Sequence, residues 1–412
     1  MPPILEIYVV WHPSDRSGVA IAEGLVAHFH GPAFAGLVGG AVEVYLRSEG
    51  WEAPGEPPRP LPFATPLPHG LPAPTLTAVV PLLGSALARA VQDGAAWSDY
   101  LGTLADSNRL ADVGVFPLVI DREGVDGTAL GQLLGGIQPL QAAGATDAAR
   151  LAGDLAHSIT GLAKGGVDQR LQVFLSHTKW HSVAERPEVE GRPDEVAALV
   201  EDIREAINGT HLDVFFDAAS LQPGSDWHER LVAEAGRSAL LVVRSDRYAE
   251  REWCQREVLV AKRADLPMVT LLAVRSGEDR GSFLLDHGPT VALDDRDGQT
   301  RLDSISAALH CLVDEALKRA LWDRQRAVLA HRGFDWLPVH APEPTTVIHW
   351  LQSQQAARPA DGAPLVILHP DPPLGPDEHT VVADLIHLVD PAALVDILTP
   401  RTFANRGGVL AP

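Results

Sequence analysis

The stretch Leu240-Leu-Val-Val-Arg-Ser-Asp-Arg-Tyr-Ala-Glu-Arg-Glu-Trp-Cys-Gln-Arg-Glu257 decides the fold. A short apolar run ends at Arg244-Ser245, a polar loop follows, and a helix is predicted over Trp253–Arg263. Apolar strand, loop and helix form the repeating unit of a parallel sheet covered on both faces, whose strands read as continuous hydrophobic runs. The alternation continues in both directions. Upstream, strands are predicted at Leu171–Leu175, Leu212–Phe216 and Ala239–Val243, with helices at Asp194–Ile207 and Trp227–Ala235. Downstream come strands at Met268–Ala273 and Thr290–Leu293 and a helix at Ser304–Trp322. Within Asp194–Ile207, Val196, Leu199, Val200, Ile203 and Ile207 hold the i, i+3, i+4, i+7 spacing of one buried face.

Two further blocks flank this one. The first, residues 1–164, carries strand candidates at Ile4–Val10, Val42–Leu46, Leu76–Leu83 and Val113–Ile120, a Pro-rich insertion over 53–74, and a helix over Gln141–Leu162 closed by Gly165-Gly166. The last, 334–412, suggests a small α/β region from Thr346–Gln352, Leu365–His369 and Val381–Leu388, with a fraying end after Asn405. An internal echo links the first two blocks. Ile7-Tyr-Val-Val-Trp-His-Pro-Ser-Asp15 resembles Val173-Phe-Leu-Ser-His-Thr-Lys-Trp180, and Val42-Glu-Val-Tyr-Leu46 resembles Leu212-Asp-Val-Phe-Phe216. We read two diverged copies of one fold.

Composition removes several classes of function. The chain has 412 residues, with 33 Lys+Arg against 54 Asp+Glu, a net charge of −21. Binding nucleic acid through phosphates, or docking on an anionic membrane, needs clustered cations, so neither is expected. Two cysteines, Cys254 and Cys311, exclude a disulfide scaffold and a multi-cysteine zinc site. No basic leader precedes the first apolar run, and the long uncharged stretch from Pro60 to Ala88 holds too many prolines for a membrane helix. A soluble cytoplasmic protein is expected. No P-loop, HExxH or G-x-S-x-G motif occurs, and Gly36-Leu-Val-Gly-Gly40 lacks the dinucleotide fingerprint.

Open parallel sheets bind ligands beyond the carboxyl ends of their strands. Three loops of the middle block leave those ends: Phe174-Leu-Ser-His177 onward, Asp217-Ala-Ala-Ser-Leu-Gln-Pro-Gly-Ser-Asp-Trp227, and Ser245-Asp-Arg-Tyr-Ala-Glu-Arg-Glu-Trp-Cys-Gln-Arg-Glu257. In order and spacing they resemble a TIR (Toll/interleukin-1 receptor) domain over 168–325. The resemblance implies a flavodoxin-like parallel sheet, preceded here by a second, degenerate TIR-like α/β domain and followed by the small α/β region. It also implies cleavage of NAD⁺ at the nicotinamide–ribose bond, as in bacterial TIR enzymes of immune or stress signalling, with Glu257 as the essential carboxylate. The alternative is a TIR module that signals by assembly alone. NAD⁺ would then be substrate, with no resident cofactor or metal. A homo-oligomer through TIR domains and an activating protein or nucleotide signal are the partners implied.

The chemistry suits one carboxylate. Nicotinamide leaves as a neutral molecule, so no general acid is required, and a negative group facing the oxocarbenium-like ribose supplies stabilisation. Glu257 and Trp253 are four residues apart on a predicted helix and share a face. Ser176 and His177 are expected near the dinucleotide and Lys179 near a phosphate, against a solvated-loop reading. Trp227 suits either a core aromatic or a lid, and Ser245 either a cap or a ribose contact. Asp217, Pro223 and Gly224 read as loop-shaping residues, and Cys254 as a small buried hydrophobe. In the first block the counterpart run is Trp97-Ser-Asp-Tyr-Leu101, with Leu101 at the position of the glutamate and Asp99 an imperfect substitute on another face. That copy is expected to be inactive and to serve association.

Overall fold

The computed structural model describes residues 4–31, 33–34, 42–51, 53–63, 75–121, 125–140, 148–166, 170–178, 195–217, 238–275, 277–278, 281–285, 287–329, 332–354 and 364–410; for 195, 214–217 and 328 this is the backbone alone. In the first unit the elements are β1 (Leu5–Val10), α1 (Ser17–Phe29), β2 (Val42–Arg47), β3 (Leu76–Leu83), α2 (Ser85–Asp93), α3 (Ala95–Ser107), β4 (Val113–Val115), β5 (Leu118–Val119), α4 (Ala129–Leu134) and α5 (Ala148–Ala163). The second holds β6 (Gln172–His177), α6 (Glu195–Asn208), β7 (Asp213–Asp217), β8 (Ser238–Arg244), a 3-10 turn at Tyr248–Glu250, α7 (Glu252–Arg263), β9 (Met268–Leu272), β10 (Thr290–Ala292) and α8 (Gly298–Leu329). The C-terminal unit has α9 (Pro344–Gln354), β11 (Leu365–Leu368), α10 (Pro376–Val389), β12 (Val395–Leu398) and α11 (Pro400–Asn405).

Both large sheets are parallel. The first runs β2-β1-β3-β4, the second β7-β6-β8-β9-β10. Taken in order of appearance, each places its second strand outside its first and then continues through the third and fourth. The expected α/β class, with a flavodoxin-like sheet in the middle block, is therefore what the chain forms. β3, apolar except for Thr77, is buried along its whole length, flanked by β1 and β4. The single strand expected over Val113–Ile120 is broken into β4 and β5, which pair with successive parts of β3. Pro117 lies in the break; it has no N–H to donate to a ladder.

The two sheets share a core. α5 packs on α1 and β4, α8 packs on α6, β8, β9 and β10, and α5 and α8 pack on each other. Val9, Leu155, Leu309, Leu175 and Leu241 thus belong to one buried cluster that crosses from the first unit to the second. Gly153 permits the close approach: a Cβ there would stand 2.7 Å from the His310 ring. Polar ties complete the seam. His28 Nε2 meets Asp314 Oδ1 at 3.1 Å, and the Arg324 guanidinium donates to the Ala163 carbonyl and to Asp112. Burial, more than any neighbouring charge, holds the His157 pKa near 4, so its neutral ring accepts from the Leu171 amide at 3.1 Å. The last helices of the two units thus face one another, as equivalent elements do across a two-fold interface.

α8 extends beyond the predicted Ser304–Trp322 at both ends. Its later turns have a different customer. Trp322 and Leu329 enter a cluster with Val339, Val366, Leu368, Leu398 and Phe403 of the C-terminal unit. A helix that changes partners along its length shows no single apolar stripe, which is why its ends were not readable from periodicity.

Candidate functional site

In the second sheet the strand order reverses between β6 and β8, so their carboxyl ends flank the topological switch point where open α/β sheets take ligands. Ser176 and His177 end β6, and Ser245 follows β8. Ser245 Oγ lies 2.9 Å from Thr178 Oγ1, tying the two strand ends together. Ser245 therefore bridges loops; the caps of the following 3-10 turn and of α7 are Arg247 and Arg251. His177 is half-buried, with Nδ1 3.1 Å from the Thr178 carbonyl.

Glu257 lies in α7, which crosses the outer face of this sheet. It is 2% exposed. Its Oε2 accepts from Ser176 Oγ at 2.5 Å, and Ser176 Oγ lies 2.5 Å from Tyr248 Oη. Ser176 gives its one hydroxyl proton to Glu257, so its lone pairs receive the Tyr248 hydroxyl. The chain of polarised bonds runs Tyr248 to Ser176 to Glu257. Burial, chiefly, raises the Tyr248 pKa well above its ordinary value and keeps the phenol protonated as a donor. Burial first and the Glu257 charge second push Cys254 up to about 12, so this thiol is inert, as its reading as a small hydrophobe requires. Its Sγ lies 3.7 Å from the His177 carbonyl.

One expectation about placement fails. The sequence put Glu257 and Trp253 together on one face of a crevice. Glu257 is instead inside the layer, while Trp253 is 43% exposed. Helix α7 begins at Glu252, so Trp253 occupies the first turn, beyond the elements that cover Glu257. Asp217 is the final residue of β7 and pairs in register with Leu175, which puts its backbone at the strand's carboxyl end. Lys179, Pro223, Gly224 and Trp227 lie outside the described residues. Tyr248 was missed as a site residue, although it stood inside the quoted Ser245–Glu257 run; its spacing from Ser176 becomes visible only when β6 and β8 pair.

In the first unit, the quoted echo places Val10 opposite Ser176, and Leu101 stands where the glutamate is expected. Val10 and Leu101 meet in one apolar cluster with Tyr8 and Trp97. At the carboxyl ends of β1 and β3, Asp15 accepts from the Ala86 and Leu87 amides at 2.9 and 3.1 Å, filling the crevice with the chain's own carboxylate at the start of α2. Trp97 donates to the Gly55 carbonyl at 2.7 Å and lies beside the His12 ring. Among the described residues no group of three His, Cys, Asp or Glu side chains could hold a metal ion, and no helix is long and apolar enough to cross a membrane.

The arrangement at the second sheet defines a class: a doubly wound parallel α/β domain with a carboxylate beside its switch point. Comparison with known families is more specific. Residues 191–309 match the TIR domain, and the chain therefore carries a TIR domain within its second unit. Comparison with curated proteins finds no match. Among solved structures, the chain is similar to tagatose-6-phosphate ketose/aldose isomerase from Escherichia coli, at 9% identity over 76% of this chain and 82% of that one, with a TM-score of 0.20. A proposed phosphosugar isomerase from Silicibacter pomeroyi DSS-3 is 12% identical over 81% of this chain and 88% of that one, with a TM-score of 0.18. Similarity at this level carries no argument about fold or function.

Proposed function

We propose that the TIR domain hydrolyses NAD⁺ at the nicotinamide–ribose bond, with Glu257 as the carboxylate that stabilises the ribose cation. The observation that carries this reading is the Ser176–Glu257 pair beside the β6/β8 switch point. The C1′–N bond breaks with its electron pair passing to nicotinamide. Water then adds at C1′ and loses a proton, giving ADP-ribose; attack by an adenine nitrogen in place of water gives a cyclic product. A carboxylate that already accepts from Ser176 is oriented before the reaction begins, which is the condition for electrostatic catalysis. Ser176, His177 and Ser245 line the strand ends beside it, and Trp253 presents an exposed indole one turn away. Lys179 and Trp227 are proposed as further nucleotide contacts.

The burial of Glu257 supports a resting state that must be opened. We infer that association through TIR domains, in the cytoplasm and in an immune or stress response, supplies the opening. The same burial favours the second reading, a module that acts by assembly alone and uses Glu257 to brace β6 against α7. The test is incubation of the purified chain with NAD⁺ across a wide dilution series, with products separated by chromatography. The proposal expects nicotinamide release whose rate per molecule rises with protein concentration. Oligomers that form without any nicotinamide release favour the assembly reading.

A further inference from the structure

We propose that the C-terminal unit is a clamp on α7, closed by the buried ion pair of Lys262 and Glu343, and that release of this pair loosens α7 and uncovers Glu257. Lys262 lies in the last turn of α7. It is five residues beyond Glu257, about 7.5 Å along the helix axis. Its Nζ donates to both carboxylate oxygens of Glu343, at 2.9 and 2.7 Å, and the two side chains are 9% and 8% exposed.

Glu343 is itself held in place. Its amide donates to Thr346 Oγ1 at 3.1 Å, its carbonyl receives the Val347 amide at 2.9 Å, and Thr345 Oγ1 donates to its carboxylate. The residue that opens α9 therefore grips the residue that closes α7, and each charge stands at the helix end that favours it. Two further contacts carry the same tie. α9 packs on α7. The His340 ring bonds the backbone of Leu266, three residues past the end of α7, and its Nε2 accepts from Arg319 Nη1 of α8 at 3.2 Å, since a guanidinium only donates.

Such a pair holds only while both charges are present, because either one alone is left buried and uncompensated. A cavity of about 410 Å³ lies beside it, with Lys262, Leu266, His340 and Glu343 in its wall. The tie thus borders open space and not continuous core. The side chains that α7 buries with Phe174, Leu240 and Val242 are small: Cys254, Val258, Val260 and Ala261. Apolar stabilisation scales with the area buried, so a polar tie at the end of this helix adds materially to its seating. Glu257, 2% exposed, meets no substrate while α7 stays seated, and the clamp therefore opposes turnover. That effect on turnover alone rests on the functional reading above; the clamp does not.

The chain's two cysteines supply the readout. Cys254, in α7 three residues before Glu257, is 3% exposed, and Cys311 lies in α8. Alkylation of the full chain by N-ethylmaleimide, resolved by site with mass spectrometry, compares three proteins. They are the wild type, Glu343→Lys, which sets two cations together, and Lys262→Glu combined with Glu343→Lys, which restores an opposite pair. Glu343→Lys should label Cys254 about tenfold faster, an ordinary size for coupling between sites, with Cys311 unchanged. The double variant should return Cys254 most of the way to the wild-type rate. Nicotinamide release from NAD⁺ at low protein concentration should rise in step with Cys254 labelling. Unchanged Cys254 labelling in Glu343→Lys, equal acceleration at Cys311, no recovery in the double variant, or slower nicotinamide release from the loosened protein would each overturn the proposal. Cys254 labelling as expected, with no nicotinamide released by any of the three, supports the clamp and counts against the hydrolase reading instead.

Discussion

The two large sheets have one strand order and opposite contents at equivalent places. Beside the second switch point a buried serine and a buried glutamate face each other; beside the first stand Val10 and Leu101. In the second, Thr178 and Ser245 tie the strand ends together, whereas the first is filled by Asp15 capping α2. Two sheets of one strand order thus fill the equivalent place differently, one with ordinary core and the other with a polar, costly pair. The apolar arrangement gains burial. The polar arrangement buries a carboxyl group, whose cost a hydrogen-bond donor such as Ser176 offsets in part.

The largest effect on stability should come from forcing the first unit to carry the second unit's glutamate. Leu101→Glu places a carboxylate in the cluster that holds Tyr8, Val10 and Leu104. Loss of roughly 3–5 kcal/mol is expected, as for other unpaired buried charges, read as a lowered urea midpoint. A midpoint equal to wild type would mean that the first copy has a polar partner for that position. Ser176→Ala should cost less, about 1–3 kcal/mol, because Glu257 loses the Ser176 donor and Tyr248 the hydroxyl it bonds. An unchanged midpoint would show that Ser176 does not anchor the carboxylate. Asp15→Ala should cost about 1 kcal/mol, the ordinary loss for two helix-start amides without a side-chain acceptor. It should leave any NAD⁺ cleavage intact; abolished cleavage in a folded protein would give the first crevice a catalytic part.

The strands were legible because a parallel sheet buries both faces. Leu76–Leu83 could be read at its bounds, and the five strands of the second sheet to within two residues at each end. The motif likewise carried the TIR domain. What the sequence could not carry was contact between distant segments. Ser176 and Tyr248 are 72 positions apart and meet only because β6 and β8 are neighbours. The extra length of α8 depends on a third unit packing against Trp322 and Leu329. The burial of Glu257 depends on layers laid over α7, and helical spacing alone assigned it the same surroundings as Trp253. The shared core of the first two units was hidden for the same reason: α5 and α8 each read as an ordinary closing helix.

The most direct measurement is NAD⁺ cleavage by the wild type and Glu257→Gln, at matched concentration and with folding checked by circular dichroism. The substitution keeps shape and removes the charge that faces the ribose cation. Loss of about 3–4 kcal/mol of transition-state stabilisation is expected, a rate lower by roughly 10²–10³-fold. Glu252→Gln, at the exposed start of α7 and paired with Arg256, serves as the control and should cleave as the wild type does. Equal cleavage by folded Glu257→Gln and wild type would contradict the account, because the charge beside the second switch point would then have no part in the reaction.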